Sequence, residues 1–103
     1  MPKLSLIANP TFPAPVDIPV AGAESVKVLM TFKHRTKDDL DKFIKTVNSR
    51  DDTENFMEMV TGWELDDPFN KESVELLLQN YMGTSLATYK VYIDELVKHK
   101  TGN

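Results

Sequence analysis

The chain has 103 residues, 41% of them hydrophobic and 27% charged, with a net charge of −4, the profile of one small globular domain with a single core. No cysteine is present, which excludes a disulfide framework, a thiolate nucleophile and a cysteine-based zinc site and fits a cytosolic protein. No apolar run approaches the roughly 18 to 20 residues that span a bilayer, and the N-terminus lacks the apolar core of a signal peptide.

Charge is unevenly spread. Residues 1–35 carry four Lys/Arg against two Asp/Glu, residues 36–80 carry five against twelve, and residues 81–103 carry three against two. An acidic middle argues against duplex nucleic acid, which demands a basic face to neutralise phosphates. It suits a protein that binds proteins.

In chain order, residues 3–8 alternate roughly and read as a first strand. Asn9 to Pro15 contains three of the six prolines, so it reads as an extended connection or an edge. Val16 to Val20 alternates, and Pro19 confines it to an edge as well. Ala21-Gly22-Ala23-Glu24 is a turn. Ser25 to Lys33 is the best strand, with Val26, Val28, Met30 and Phe32 on one side and Lys27, Leu29, Thr31 and Lys33 on the other. The two runs around a glycine turn predict a hairpin.

Thr36 caps a first helix, with Asp39 in the place of a capping-box acid. Leu40, Phe43, Ile44 and Val47 form its apolar stripe, and Asn48 to Asp52 ends it. Thr53 or Asp52 caps a second, short helix bearing Phe56, Met57, Met59 and Val60. Gly62, in the left-handed conformation, closes that helix. Trp63 and Leu65 then anchor a connection, Asp66-Asp67-Pro68 turns, and Asn70 caps a third helix from Lys71 to about Gln79. A fourth helix starts at Thr84 or Ser85 and uses Leu86, Tyr89, Ile93, Leu96 and Val97, with Tyr92 beside the stripe. Lys98, His99 and Lys100 complement its C-terminal dipole. The expected architecture is α+β: one domain over 1–103, with a small N-terminal β element (1–35), about four short helices (36–100) and a frayed tail (101–103).

Chemistry is sparse along this chain. His34 and His99 lie far apart, each beside lysine, with no ligand spacing, and read as solvent-facing residues at element ends. Asp66-Asp67 lacks the spacing of a calcium loop. The acids at 38, 39 and 41 cannot share one helix face, and neither a glycine-rich phosphate loop nor a nucleophile elbow is present. No catalytic, cofactor-binding or metal-ligating residue is nominated, and an enzyme is not expected. Phe32 beside Lys33, His34 and Arg35 resembles a stacking-plus-phosphate strip, but Phe32 continues the core face of its strand. Trp63, Leu65, Phe69 and Tyr81 are the candidates for a protein contact, since aromatic residues bury large area at interfaces. Each also has a core reading.

The set Phe32-Lys33-His34-Arg35-Thr36, the Asp39 to Phe43 helix, Gly62-Trp63-Glu64-Leu65 with Pro68-Phe69, and Leu77-Leu78-Gln79-Asn80-Tyr81-x-Gly83 resembles the tail assembly chaperones of long-tailed bacteriophages and prophages. The segments Asn9 to Phe12 and Pro15 to Pro19, and the closing Gly102-Asn103, are similar too, so the likeness covers essentially the whole chain. Met82 departs from the pattern, standing where proline is expected, which leaves the turn between the last two helices to Gly83. The resemblance implies a non-enzymatic protein without cofactor. Such proteins bind the tape measure protein and keep it soluble until tail-tube subunits polymerise around it. They act in the host cytoplasm and are absent from the finished virion. Contact with the major tail protein, self-association and a longer frameshifted form are further implications. Neither nucleic acid nor membrane is an expected partner. The alternative is a small prophage-encoded regulator or inhibitor that binds one host protein; a tape measure gene directly downstream would decide for the chaperone.

Overall fold

An antiparallel hairpin leads the fold. The structure, a computed structural model, describes residues 4–98; the complement of His99 and Lys100 to the last helix and the tail at 101–103 lie outside them. Strand β1 (Thr11–Ile18) pairs with β2 (Val26–Lys33) along its full length, with Val16 opposite Val28 and Phe12 opposite Phe32. The turn between them holds Gly22 at φ 77°, where a side chain would be strained. Residues 4–8 form no strand. Their alternation finds no neighbouring strand to pair with, and a lone extended segment has nothing to hold it.

Pro13 and Pro15 sit within β1, which joins the two proline-containing segments into one edge strand. The ladder phase explains how. The His34 N–H donates to Pro10 O at 2.9 Å, and such bonds recur at every second residue of an antiparallel pair. Phe12, Ala14, Val16 and Ile18 therefore carry the bonds to β2. Pro13 and Pro15 turn their missing N–H groups to the open edge, lose no ladder bond and blunt the edge against further pairing.

Helix α1 (Lys37–Lys45) is capped by Thr36, whose Oγ1 accepts from the Asp39 N–H at 3.2 Å. Leu40 and Phe43 are buried, whereas Ile44 is exposed. A single 3-10 turn (Val47–Ser49) takes Val47 off the helical stripe. Helix α2 (Asp52–Met59) starts one residue before the expected caps: Asp51 is its N-cap, in a capping box with Glu54. Both nominated caps, Asp52 and Thr53, already lie inside the helix.

Gly62 does not terminate α2 in a left-handed conformation. The helix passes at Val60 straight into a third strand, β3 (Val60–Trp63), which pairs antiparallel with β2. Phe32 faces Val60 and Thr31 faces Gly62, so Thr61 is the extra residue of a β-bulge. Sheet order is β1-β2-β3. Helix α3 (Lys71–Asn80) is capped by Asn70, whose side chain accepts from the Ser73 N–H at 2.8 Å. Helix α4 (Thr84–Val97) follows after a short turn.

The fold is α+β, a three-stranded antiparallel sheet with four helices. Its core lies on the inner face of the sheet and includes Val16, Met30, Phe32, Phe56, Val74 and Tyr92. The buried face of α4 is Thr84, Thr88 and Tyr92, at i, i+4 and i+8, while Leu86 and Val97 are exposed. Of the expected stripe, Tyr89, Ile93 and Leu96 pack partly buried against the core, while the centre of the face falls to small threonines that let α4 approach β1 where leucine would hold it off. Gly83 has an ordinary helical φ of −78°, so left-handed freedom is not what the position requires. A Cβ there would stand 2.8 Å from Pro19 Cγ; close packing on the hairpin requires the glycine.

Candidate functional site

The inner face of β2 is covered unevenly. Phe32 and Met30 are fully buried, Val28 is 5% exposed and Val26 is 54% exposed. Strand β3 is four residues long and reaches along β2 no farther than the bond from Glu64 N–H to Leu29 O, 3.0 Å. Beyond that point an open groove of about 670 Å³ lies between the hairpin and α3. Its hairpin wall is Ile18, Val20, Val26 and Val28, and its helical wall is Leu76, Leu77 and Tyr81.

Trp63 and Leu65 line the same groove between those walls. Trp63 pairs with Met30 across the ladder, which directs its side chain to the inner face. The half-buried ring stands edge-on to Phe56 at 6.2 Å and to Phe69 at 5.0 Å. Its Nε1–H donates to Asp67 O at 2.9 Å, satisfying the one polar atom of the indole. Three of the four nominated residues, Trp63, Leu65 and Tyr81, thus share one concavity. Phe69 does not line it and touches it only through Trp63. Leu65 and Tyr81 are 36% and 40% exposed.

Leu76, 64% exposed, was not nominated, nor was the hairpin wall. A signal for Leu76 existed in the sequence. Val74, Leu76, Leu77 and Leu78 are four apolar residues in five positions of one helix, and such a run spans more than one face. Val74 is buried, Leu77 and Leu78 are partly buried, and Leu76 is left over. Nothing in the sequence marked the hairpin wall, because its one exposed residue, Val26, is left open by where β3 stops.

Asp67 is the acid that lines the groove. All twelve Asp and Glu side chains of residues 36–80 are exposed. Nor does the basic strip at residues 33–35 present a free cation row. Arg35 is drawn into the fold, where it donates to Glu58 O at 2.6 Å, Glu58 Oε1 at 2.7 Å and the Tyr92 hydroxyl at 2.9 Å. Its guanidinium also lies 4.5 Å above the Phe43 ring. The Tyr92 hydroxyl in turn donates to Lys33 O at 2.7 Å. Burial raises the Tyr92 pKa above its ordinary value, although the Arg35 hydrogen bond and charge oppose the shift. His34, expected to face solvent, is half-buried where β2 leaves the sheet. Among the described residues, no three His, Asp or Glu side chains gather where they could hold a metal ion. No helix among them is long and apolar enough to cross a membrane.

The model of the phage tail assembly chaperone family matches residues 1–103, the whole chain. Neither the curated proteins nor the solved structures contain a match. The chain belongs to the phage tail assembly chaperone family.

Proposed function

We propose that the chain is a non-enzymatic chaperone whose groove binds the tape measure protein and holds it soluble in the host cytoplasm until tail-tube subunits enclose it. The observation that carries this reading is the groove itself. Trp63, Leu65, Leu76, Leu77 and Tyr81 stand exposed or half-buried around one concavity, in a chain whose family assists tail assembly. A long helical client offers apolar side chains at i, i+3, i+4 and i+7, and an apolar groove takes such a stripe. Trp63 is the anchor at the base, since a large ring in a desolvated pocket contributes disproportionately to binding.

The acidic surface supplies the second half of the mechanism. With all its middle-segment acids facing water, a client decorated with copies of this protein gains a shell of like charge that keeps complexes apart. The major tail protein then competes for the client, and the chaperone leaves before the virion is complete.

The reading is tested by co-expressing tape measure protein with the wild-type chain, with Trp63→Ala and with Leu65→Glu. The wild type is expected to keep the client in the soluble fraction, and both variants are expected to lose it to the pellet while remaining folded by circular dichroism. Client solubility unchanged by either folded variant would refute the groove as the binding site.

A further inference from the structure

Two apolar features of the molecule stand without a partner, at opposite ends of the same strand. One is the groove beside Ile18 and Val26. The other is the arm ahead of β1, in which Leu4, Leu6 and Ile7 are 91%, 97% and 82% exposed. A weak bond from the Ile7 N–H to Ser5 Oγ, 3.3 Å, bends the arm locally. When the arm is extended, Leu4, Leu6 and Ala8 fall on one side.

The groove offers backbone as well as apolar walls. In the ladder phase set by the His34–Pro10 bond, odd-numbered residues of β2 direct N–H and C=O away from β1. Leu29 obeys this, its carbonyl accepting from Glu64. Lys27, beyond the reach of β3, therefore presents both groups between Val26 and Val28, which line the groove. An extended segment laid there would pair its backbone with Lys27 and put alternate side chains into the groove.

We propose that this segment is residues 4–8 of a second copy of the chain, docked beside β2 with Leu4 and Leu6 in the groove while no client is bound. A chain's own arm cannot do this. Leu4 and Leu6 lie seven and five residues before Thr11, so fully extended they reach roughly 23 and roughly 17 Å. That is only level with Ile18 and Val16, which leaves no length for reversing direction and crossing β1 and β2, roughly 4.8 Å apart, to the far side of β2. The outer edge along the way is closed by Pro13 and Pro15. Charge is compatible with the same occupant: residues 4–10 carry no charge, so this segment brings no like charge to Asp67, the acid that lines the groove. The contact joins two different surfaces, so copies add head to tail, as a ring or a row. That a client displaces the arm rests on the function proposed above; arm docking does not, and its test contains no client.

The absence of cysteine makes the test direct. The full chain is prepared as two single-cysteine variants, Leu6→Cys and Leu76→Cys, mixed in equal amounts and oxidised mildly. Both side chains are exposed, so folding is undisturbed. The mixed disulfide is expected in several-fold excess over the two like pairs, and Leu4→Glu in the arm-bearing chain is expected to abolish that excess. A purely statistical share of mixed product would overturn the proposal, as would an excess untouched by Leu4→Glu. So would a double variant, Leu6→Cys with Leu76→Cys, that closes within one chain at high dilution.

Discussion

The two ends of the sheet make opposite use of one alternating pattern. At the end holding Phe12 and Phe32, the rings of Phe12, Phe32, Phe43 and Tyr92 stack or meet edge-on with centroids 5.5 to 6.3 Å apart. Arg35 closes that cluster, its guanidinium bonded to Glu58 and Tyr92 and laid over Phe43. At the end holding Ile18 and Val26, the same inward face loses its cover at Val26, 54% exposed, and becomes a wall of the groove. Alternation decides which residues point inward. Whether they are buried is decided by how far the neighbouring elements extend.

The largest expected effect falls on the sealed end. Phe32→Ala removes a fully buried ring from the centre of the aromatic stack and is expected to cost about 3–5 kcal/mol in urea unfolding. That is a large share of the stability of a small domain. If Phe32→Ala cost no more than a surface substitution, the sealed cluster would not be the core that separates the two ends.

Gly83→Ala tests the joint between them. Its new Cβ would press on the Pro19 ring, which is rigid, at 2.8 Å, and a destabilisation of about 1–3 kcal/mol is expected from overpacking. Pro19→Ala removes the Cγ in question, so the double variant should recover part of the loss. An additive cycle would show that the two residues are not in contact.

Tyr92→Phe probes the polar side of the sealed end. It leaves Lys33 O and one Arg35 N–H without their partner, and a loss of about 1–2 kcal/mol is expected. The pH dependence is specific. The folded-state pKa of Tyr92 is raised above 10.0, so above that pH the unfolded chain releases a proton that the folded chain retains. Stability from this group is complete below the ordinary tyrosine pKa and is lost as pH rises through the folded value. The wild type should therefore destabilise more steeply above about pH 10 than Tyr92→Phe. Parallel profiles would remove Tyr92 as the cause.

Legibility in the sequence followed the same division. Helices α1 and α3 were readable because their caps are local: Thr36 and Asn70 each accept from a backbone N–H three residues on. The hairpin was readable because Val28, Met30 and Phe32 alternate without interruption. Strand β3 was hidden because it is short, contains Gly62 and continues directly from a helix, so its pairing with β2 is a tertiary fact. The face of α4 was legible in part: Tyr89, Ile93 and Leu96 do pack against the core, but bulk marked Leu86 where proximity to β1 selected Thr84 and Thr88. Of the groove, the sequence indicated Trp63, Leu65 and Tyr81 as large side chains in connecting segments. The hairpin wall depended on the length of β3 and had no local signature.

The smallest effect on stability is expected at the open end, and there the comparison is sharpest. Leu76 on α3 and Leu86 on α4 are 64% and 59% exposed, so Leu76→Glu and Leu86→Glu should each shift unfolding by no more than about 0.5 kcal/mol. Chemistry, exposure and stability are then matched, and only position differs. Leu76 lines the groove and Leu86 does not. On co-expression with tape measure protein, Leu76→Glu is expected to lose client solubility and Leu86→Glu to retain it, because a carboxylate in the groove would have to be desolvated against an apolar stripe. Equal losses would assign the effect to added negative charge, and equal retention would move the client off the groove altogether.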